Sequence, residues 1–324
     1  MTGEFDLIRQ FFTRQAPSVH VGVGDDCAVF ESEPGTQIAT STDLLLEGRH
    51  FFSDVDPFKL GHKALAVNLS DLGAMGAKPI GCLLGLGLPD FNDAWLARFS
   101  AGFHALAAKH GCPLIGGDTT RSEQGIVISV TVFGSVTAPF LTRGSACEGD
   151  DIWVSGSLGA ADVALSLLMR VWQGEVLSDP EHELLEKTRP WLEMPVPRVE
   201  LGLALRHLAH AVIDISDGLL QDLGHILQAS NQGAVLQLSQ IPVNAAIAGI
   251  SAKQKRKAVL GGGDVYELCF TAPVRGREKI RAVGKELGLS LSMIGTITSE
   301  NQLKVLDEDL IEIQDLPSGF DHFR

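Results

Sequence analysis

Two apolar rhythms alternate along this chain. Gln37–Thr42, Ile80–Leu88 and Ile126–Val136 are dense in apolar residues and bounded by turn formers, which predicts strands. Pro57–Leu72 and Asn92–His110 carry Ala, Leu and Phe three and four positions apart, which predicts helices with one buried face. From Thr137 to Asp151 the pattern breaks into Gly, Pro and charge. Beyond that the alternation restarts, with strand Ile152–Ser155, helix Ala160–Arg170, strand Ala211–Asp214, and helices Gly218–Ser230 and Arg277–Leu287. Gln173–Pro197 holds several acids and prolines and reads as a loop-rich connection. The expected fold is of the α/β (α+β) class in two halves, residues 1–138 and 150–324.

Composition adds limits. At 324 residues, 45% hydrophobic and 20% charged, the chain can bury a full core in each half. A net charge of −14 excludes a broad nucleic-acid surface held by phosphate contacts. The one basic run, Lys253 to Lys257, reads as a solvated helix face. Five scattered cysteines without a C-x-x-C pair fit a reducing compartment and offer no zinc spacing or disulfide framework. Met1 to Gln15 reads as a short amphipathic helix with Phe5, Ile8, Phe11 and Phe12 near one side, and as neither a signal nor a transit peptide. Ile80–Leu88 is too short to span a bilayer. These features predict a cytoplasmic protein with no nucleic-acid or membrane partner.

Six segments place an aspartate beside glycines or small hydroxyl residues. They are Gly24-Asp25-Asp26, Ser41-Thr42-Asp43, Asn68-Leu69-Ser70-Asp71, Gly116-Gly117-Asp118, Asp214-Ile215-Ser216-Asp217 and Gly261-Gly262-Gly263-Asp264. Any one of them is explained by a turn or a helix cap, and Ser70-Asp71 and Ser216-Asp217 suit caps. Taken together, with few basic neighbours, they crowd carboxylates that repel unless a cation offsets them. Asp43, Asp118 and Asp214 also follow apolar runs, so they are expected at strand ends, where open α/β sheets hold ligands. Hard oxygens on tight turns suit Mg²⁺ shared with substrate phosphates.

No G-x-x-x-x-G-K-[ST] loop is present, and Gly22-Val23-Gly24 lacks the third glycine of a dinucleotide fingerprint. Gly156-Ser157-Leu158-Gly159 reads as a plain connection between a strand and a helix. His50 is either a surface or capping residue or a ligand contact close behind Asp43. Arg143 is either a surface residue or a bidentate phosphate donor. Phe320 either anchors the tail or covers a ligand ring.

These segments in this order resemble the thiamine-monophosphate kinases of the aminoimidazole ribonucleotide synthetase-like superfamily. The resemblance runs from Gly3-Glu4-Phe5 to Gly319-Phe320-Asp321-His322-Phe323. Its most specific parts are Gly24–Ala28, Asn68–Leu72 with Ala74–Ala77, Gly116–Arg121 and Asp214–Leu219. It implies two α/β domains, with the N-terminal one (1–138) binding ATP and magnesium and pairing into a homodimer through its sheet. It also implies γ-phosphoryl transfer from ATP to thiamine monophosphate. By motif position, Asp26, Ser41, Thr42, Asp43, Asp71, Asp118, Asp214 and Asp217 would hold magnesium ions. Gly117, Asp118, Arg143 and Ser216 would lie along the nucleotide, and His50, Asp264 and Phe320 would meet the acceptor. The family commonly has Gly-Gly-Glu-Asp-Tyr-Glu-Leu where this chain has Gly262-Gly263-Asp264-Val265-Tyr266-Glu267-Leu268, so one carboxylate is shortened and another lost.

The acceptor is a phosphate monoester with a second pKa of about 6, hence already a dianion near neutrality. It needs no general base, and none is assigned; direct in-line transfer driven by positioning and charge neutralisation is expected. Three rival readings exist: an aminoimidazole ribonucleotide synthetase-like enzyme, a selenide water dikinase and a nucleotide- or metal-binding regulator without turnover. The dikinase requires a reactive N-terminal Cys and Lys that are missing before Gly24.

Overall fold

A computed structural model of the chain describes residues 8–14, 19–21 and 29–319. Asp26 and Phe320 lie outside the described residues, as does most of the expected N-terminal helix, of which Ile8–Phe12 forms one wide helical turn burying Phe11 and Phe12. The chain divides into two compact units between Ala138 and Pro139, with Gly73–Gly76 grouped with the second.

The first unit contains β1 (Val19–Val21), β2 (Val29–Phe30), β3 (Gln37–Leu46), α1 (Pro57–Ala74), β4 (Lys78–Leu88), α2 (Asp93–His110), β5 (Leu114–Arg121) and β6 (Val127–Val136). Its main sheet has the order β3-β6-β4-β5, antiparallel except for the parallel β4–β5 pair. Alternation along β3 and β6 sorts the side chains by face. Leu45, Ile128, Val130 and Val132 are buried on the face that α1 covers. On the other face Ile38 and Leu44 are 47% and 53% exposed. The helix starts and stops follow local chemistry. The Asn92 side chain accepts from the Trp95 amide at 3.0 Å, and Gly111 closes α2 in the left-handed region at φ 61°. Helices α1 and α2 touch backbone to backbone, since a Cβ on Gly102 would stand 1.9 Å from the Phe58 carbonyl oxygen.

The second unit runs β7 (Asp151–Ser155), α3 (Ala160–Trp172), α4 (Asp179–Glu193), α5 (Val199–Leu205), β8 (Ala211–Asp214), α6 (Leu219–Ser230), β9 (Gly233–Gln237), α7 (Ala252–Gly261), β10 (Leu268–Ala272), α8 (Arg277–Leu287), β11 (Leu291–Thr298) and β12 (Leu303–Leu306). The sheet order is β12-β9-β11-β7-β10-β8, with only β12–β9 parallel. Ile152, Val154, Ile213, Leu223 and Leu236 enter one core. Trp153, Val212, Phe270, Leu205 and Ile280 enter a second core on the opposite face. Both faces are therefore covered, which is why these strands read as continuous apolar runs.

Several expectations are corrected. Gln173–Pro197 is mostly the helix α4, because Ser178 and Glu181 form a capping box and the helix buries Leu185, Thr188 and Leu192. Its prolines sit at the start and at Pro190 within the helix. Strand β3 continues through Leu46, so Ser41-Thr42-Asp43 is mid-strand: Leu44, Leu45 and Leu46 go on pairing with Ser129, Ile128 and Val127. Asp118 is likewise inside β5, while Asp214 does close β8. Ser70 and Asp71 lie in the last turns of α1 and are not caps. Both sheets are chiefly antiparallel, on the α+β side of the expectation, so the strand-end rule for open parallel sheets does not place the site here.

Candidate active site

In the first unit α1 lays its last turns across β3. Ser41 donates its hydroxyl to Asp71 Oδ2 at 2.5 Å, and the Asp43 amide donates to Asn68 Oδ1 at 3.0 Å. Asn68 is 1% exposed and donates back to the Ala64 carbonyl at 3.1 Å, which fixes its amide. The Asp43 carboxyl is pushed up from its ordinary 3.8 to about 7, first by burial and then by the Asp71 charge. Two carboxyl groups and a hydroxyl thus lie together between helix and sheet. These are hard oxygen donors, and a small divalent cation is the partner that would offset them.

Thr42 points the other way, donating to the Val130 carbonyl at 3.0 Å and sharing a 2.8 Å hydrogen bond with Thr131 on the open face. His50 follows β3 in a tight turn, its Nδ1 accepting from the Leu46 amide at 3.0 Å. In the neutral ring the proton therefore sits on Nε2. The buried Lys63 ammonium donates to the His50 carbonyl at 3.4 Å. Asp118 and Gly117 are exposed on β5, the opposite edge strand from β3. Three strand spacings, about 14 Å, separate those edges, so one copy of the sheet does not bring Asp118 to Asp43. Gly117 has φ 153° and its Cβ would meet the Leu84 carbonyl oxygen at 1.9 Å, so no larger residue fits there.

In the second unit the loop after β8 and the loop before β10 are stitched together. The Asp264 amide donates to the Ser216 carbonyl and the Tyr266 amide to the Ile215 carbonyl, both at 2.8 Å. Asp264 and Tyr266 both sit at positive φ, 58° and 54°. This is uncommon outside glycine and is held only where surrounding structure over-determines it. The Tyr266 hydroxyl donates to Asp264 Oδ1 at 3.3 Å.

Asp222, which the sequence reading did not single out, organises this loop. Its Oδ2 accepts the amides of Ser216, Asp217 and Gly218 at 3.0, 3.0 and 3.1 Å. Burial pushes its carboxyl up to about 7 and the Asp217 charge adds to that, while the three amides pull the other way. Glu267, 3% exposed, accepts from Ser155 Oγ at 2.5 Å and from both Arg198 Nε, at 2.7 Å, and Arg198 Nη2. That pair ties the loop before β10 to the end of β7 and the start of α5. Ser216, Asp217 and Asp264 therefore share one loop cluster, with Asp214 buried beside it. Arg143 does not join them. It is exposed next to Thr142, which pairs with Ala211 at the far end of β8. The available signal for Asp222 was its place as an acid in the first turn of α6.

The AIR synthase related protein N-terminal domain matches residues 24–136, and the corresponding C-terminal domain matches residues 148–308. The thiamine-monophosphate kinase of Escherichia coli (strain K12) is 39% identical over 325 residues, covering 99% of this chain and 98% of that protein. A crystal structure of thiamine-monophosphate kinase from Stenotrophomonas maltophilia K279a superposes with a TM-score of 0.82 at 41% identity, covering 89% of this chain and 91% of that one. AaThiL complexed with AMPPCP and TMP superposes with a TM-score of 0.76 at 28% identity, covering 93% and 92%. With both domain models matched and full-length relatives at this identity, the chain belongs to the thiamine-monophosphate kinases of the AIR synthase related family.

Proposed function

We propose that this chain transfers the γ-phosphoryl group of ATP to thiamine monophosphate, giving thiamine diphosphate and ADP. The observation that carries the reading is the Asp43–Asp71 pair, in which burial first and the Asp71 charge second push the Asp43 carboxyl up to about 7. ATP and a phosphate monoester bring further negative charge, so the donor set fits magnesium. On the resemblance its ligands would be Asp26, Ser41, Thr42, Asp43, Asp71, Asp118, Asp214 and Asp217; of these, Ser41, Asp43 and Asp71 stand together in the first unit. Magnesium, when bound, neutralises the phosphates of donor and acceptor.

The chain's own groups orient the reactants. Asn68 holds the Asp43 backbone, and Ser41 fixes the Asp71 carboxylate. Asp222 holds the Ser216–Gly218 loop; on the resemblance Ser216, Gly117 and Asp118 would lie along the nucleotide. Arg143 is assigned to the nucleotide on the resemblance alone. On the resemblance His50, Asp264 and Phe320 would meet the acceptor, whose dianionic phosphate attacks directly without a general base.

Residues 1–138 form the ATP-, magnesium- and dimer-forming domain and 150–324 the C-terminal domain. The sheet face that carries Ile38 and Leu44, 47% and 53% exposed, is the surface through which the homodimer implied by the resemblance would pair. Among the described residues no helix is long and apolar enough to cross a membrane. With the cysteine pattern this supports a cytoplasmic enzyme.

Incubation with ATP, Mg²⁺ and thiamine monophosphate tests the reading. Equal amounts of thiamine diphosphate and ADP are expected; bound ATP without product would reject it. A phosphoenzyme trapped with labelled ATP would sink the direct route.

A further inference from the structure

We infer that Cys147, Asp150 and His210 form a binding site for a zinc-class divalent cation in the second unit. One ligand atom from each lies within 4.8 Å of the other two, the one such trio of His, Cys, Asp and Glu side chains among the described residues. No cysteine pair marks it in the sequence, because 60 positions separate Asp150 from His210 and only the fold joins them.

Each ligand stands on fixed backbone. The Asp150 amide donates to the Cys147 carbonyl at 3.0 Å, closing a turn with Gly149 at φ 83°. The Cys147 amide donates back to Asp150 Oδ2 at 2.9 Å. The His210 amide donates to the Thr271 carbonyl at 2.8 Å. Side chains converge as well, with His210 Nδ1 2.8 Å from Asp150 Oδ2 and 3.0 Å from Oδ1. The carboxylate side chain is 3% exposed and the imidazole 35%, while Cys147 is exposed, so the carboxylate forms the floor and the thiol the mouth.

Tetrahedral zinc, with bonds of about 2.0 to 2.3 Å, sets its ligand atoms roughly 3.3 to 3.8 Å apart. The ligand atoms, all within 4.8 Å of one another, lie close to that spacing. Thiolate and imidazole select zinc or cobalt and disfavour magnesium, so the site differs in chemistry from the all-oxygen ligands proposed for Mg²⁺. Binding releases the Cys147 thiol proton to solvent. A neutral His210 bonded through Nδ1–H gives up that proton and takes one at Nε2, so one proton leaves per ion. The ion would tie the turn before β7 to the start of β8.

Cobalt titration of the full-length chain, with Mg²⁺ in excess to fill the oxygen ligands, tests the site without using turnover. One equivalent of Co²⁺ is expected to produce a thiolate-to-cobalt charge-transfer band that Zn²⁺ abolishes by displacement. C147S should lose the band, and H210Q should weaken Co²⁺ by more than about tenfold, the least that loss of even an outer-shell partner costs. Zn²⁺ should raise the Tm of the wild type and leave that of C147S unchanged. Absence of the band, or binding by C147S and H210Q equal to wild type, would overturn the proposal. Neither result bears on the kinase reading.

Discussion

Asp43→Asn is expected to make the metal-free protein more stable while removing its activity. The side chain keeps its shape and loses its charge. Folding raises the Asp43 pKa from 3.8 to about 7 through burial and Asp71, so the folded state holds a proton that the unfolded chain has released between those values. The unfolded state then binds fewer protons, and stability falls as pH rises across that window and levels off above 7. Three pKa units correspond to about 4 kcal/mol at pH 8; solvent contact at this partly accessible carboxyl lowers the expectation to about 2–4 kcal/mol. At pH 5 most of the penalty has yet to develop, and the advantage of the Asn variant should shrink to roughly 1–2 kcal/mol. Thermal unfolding of both proteins in EDTA at pH 5 and pH 8 measures the gap, and thiamine diphosphate formation at saturating Mg²⁺ measures function. Turnover should fall by at least about a hundredfold, as for loss of one strong electrostatic contact in a transition state. A variant no more stable than wild type at pH 8, or a gap independent of pH, would refute the charge-crowding account. Near-normal turnover would remove Asp43 from the metal ligands.

Other substitutions probe the scaffold around the site. Asp222→Ala strips the acceptor from three amides and should cost about 2–4 kcal/mol in urea unfolding, with Asp222→Asn milder because an amide oxygen remains. Arg198→Ala leaves the Glu267 carboxylate, 4% exposed, without its cation; a loss of about 3–5 kcal/mol is expected, and Arg198→Met with Glu267→Leu should recover most of it. Leu44→Glu on the open sheet face should convert a dimer to a monomer in light scattering with unchanged circular dichroism; a dimer that persists would exclude this face as the interface.

The sequence carried the elements with one buried side most clearly. Helix α2 announces itself through Asn92 and Gly111, and strands β4 and β6 through apolar runs between turn formers. Helix α4 was hidden because acid and proline density outweighed the Ser178–Glu181 capping box, although local hydrogen bonding decides helix starts. Asp43 and Asp71 were readable as acids with few basic neighbours along the chain, but their closeness was not, since it depends on α1 crossing β3. Asp222 and the Arg198–Glu267 pair were missed for a related reason. Their partners are backbone amides and a residue 69 positions away, and neither leaves a motif.

The Asp222 carboxylate has a consequence for how phosphate can be met. At most phosphate-binding turns the first amides of a helix point outward and greet the anion themselves. Here the amides of Ser216, Asp217 and Gly218 are already turned inward onto a carboxylate of the same helix, α6. These three hydrogens are spent inside the loop, whereas a glycine-rich phosphate loop offers such hydrogens to its ligand. If this loop meets the nucleotide as proposed, a bound cation would have to supply the positive charge that these amides do not, and the metal complex of ATP would dock better than free ATP.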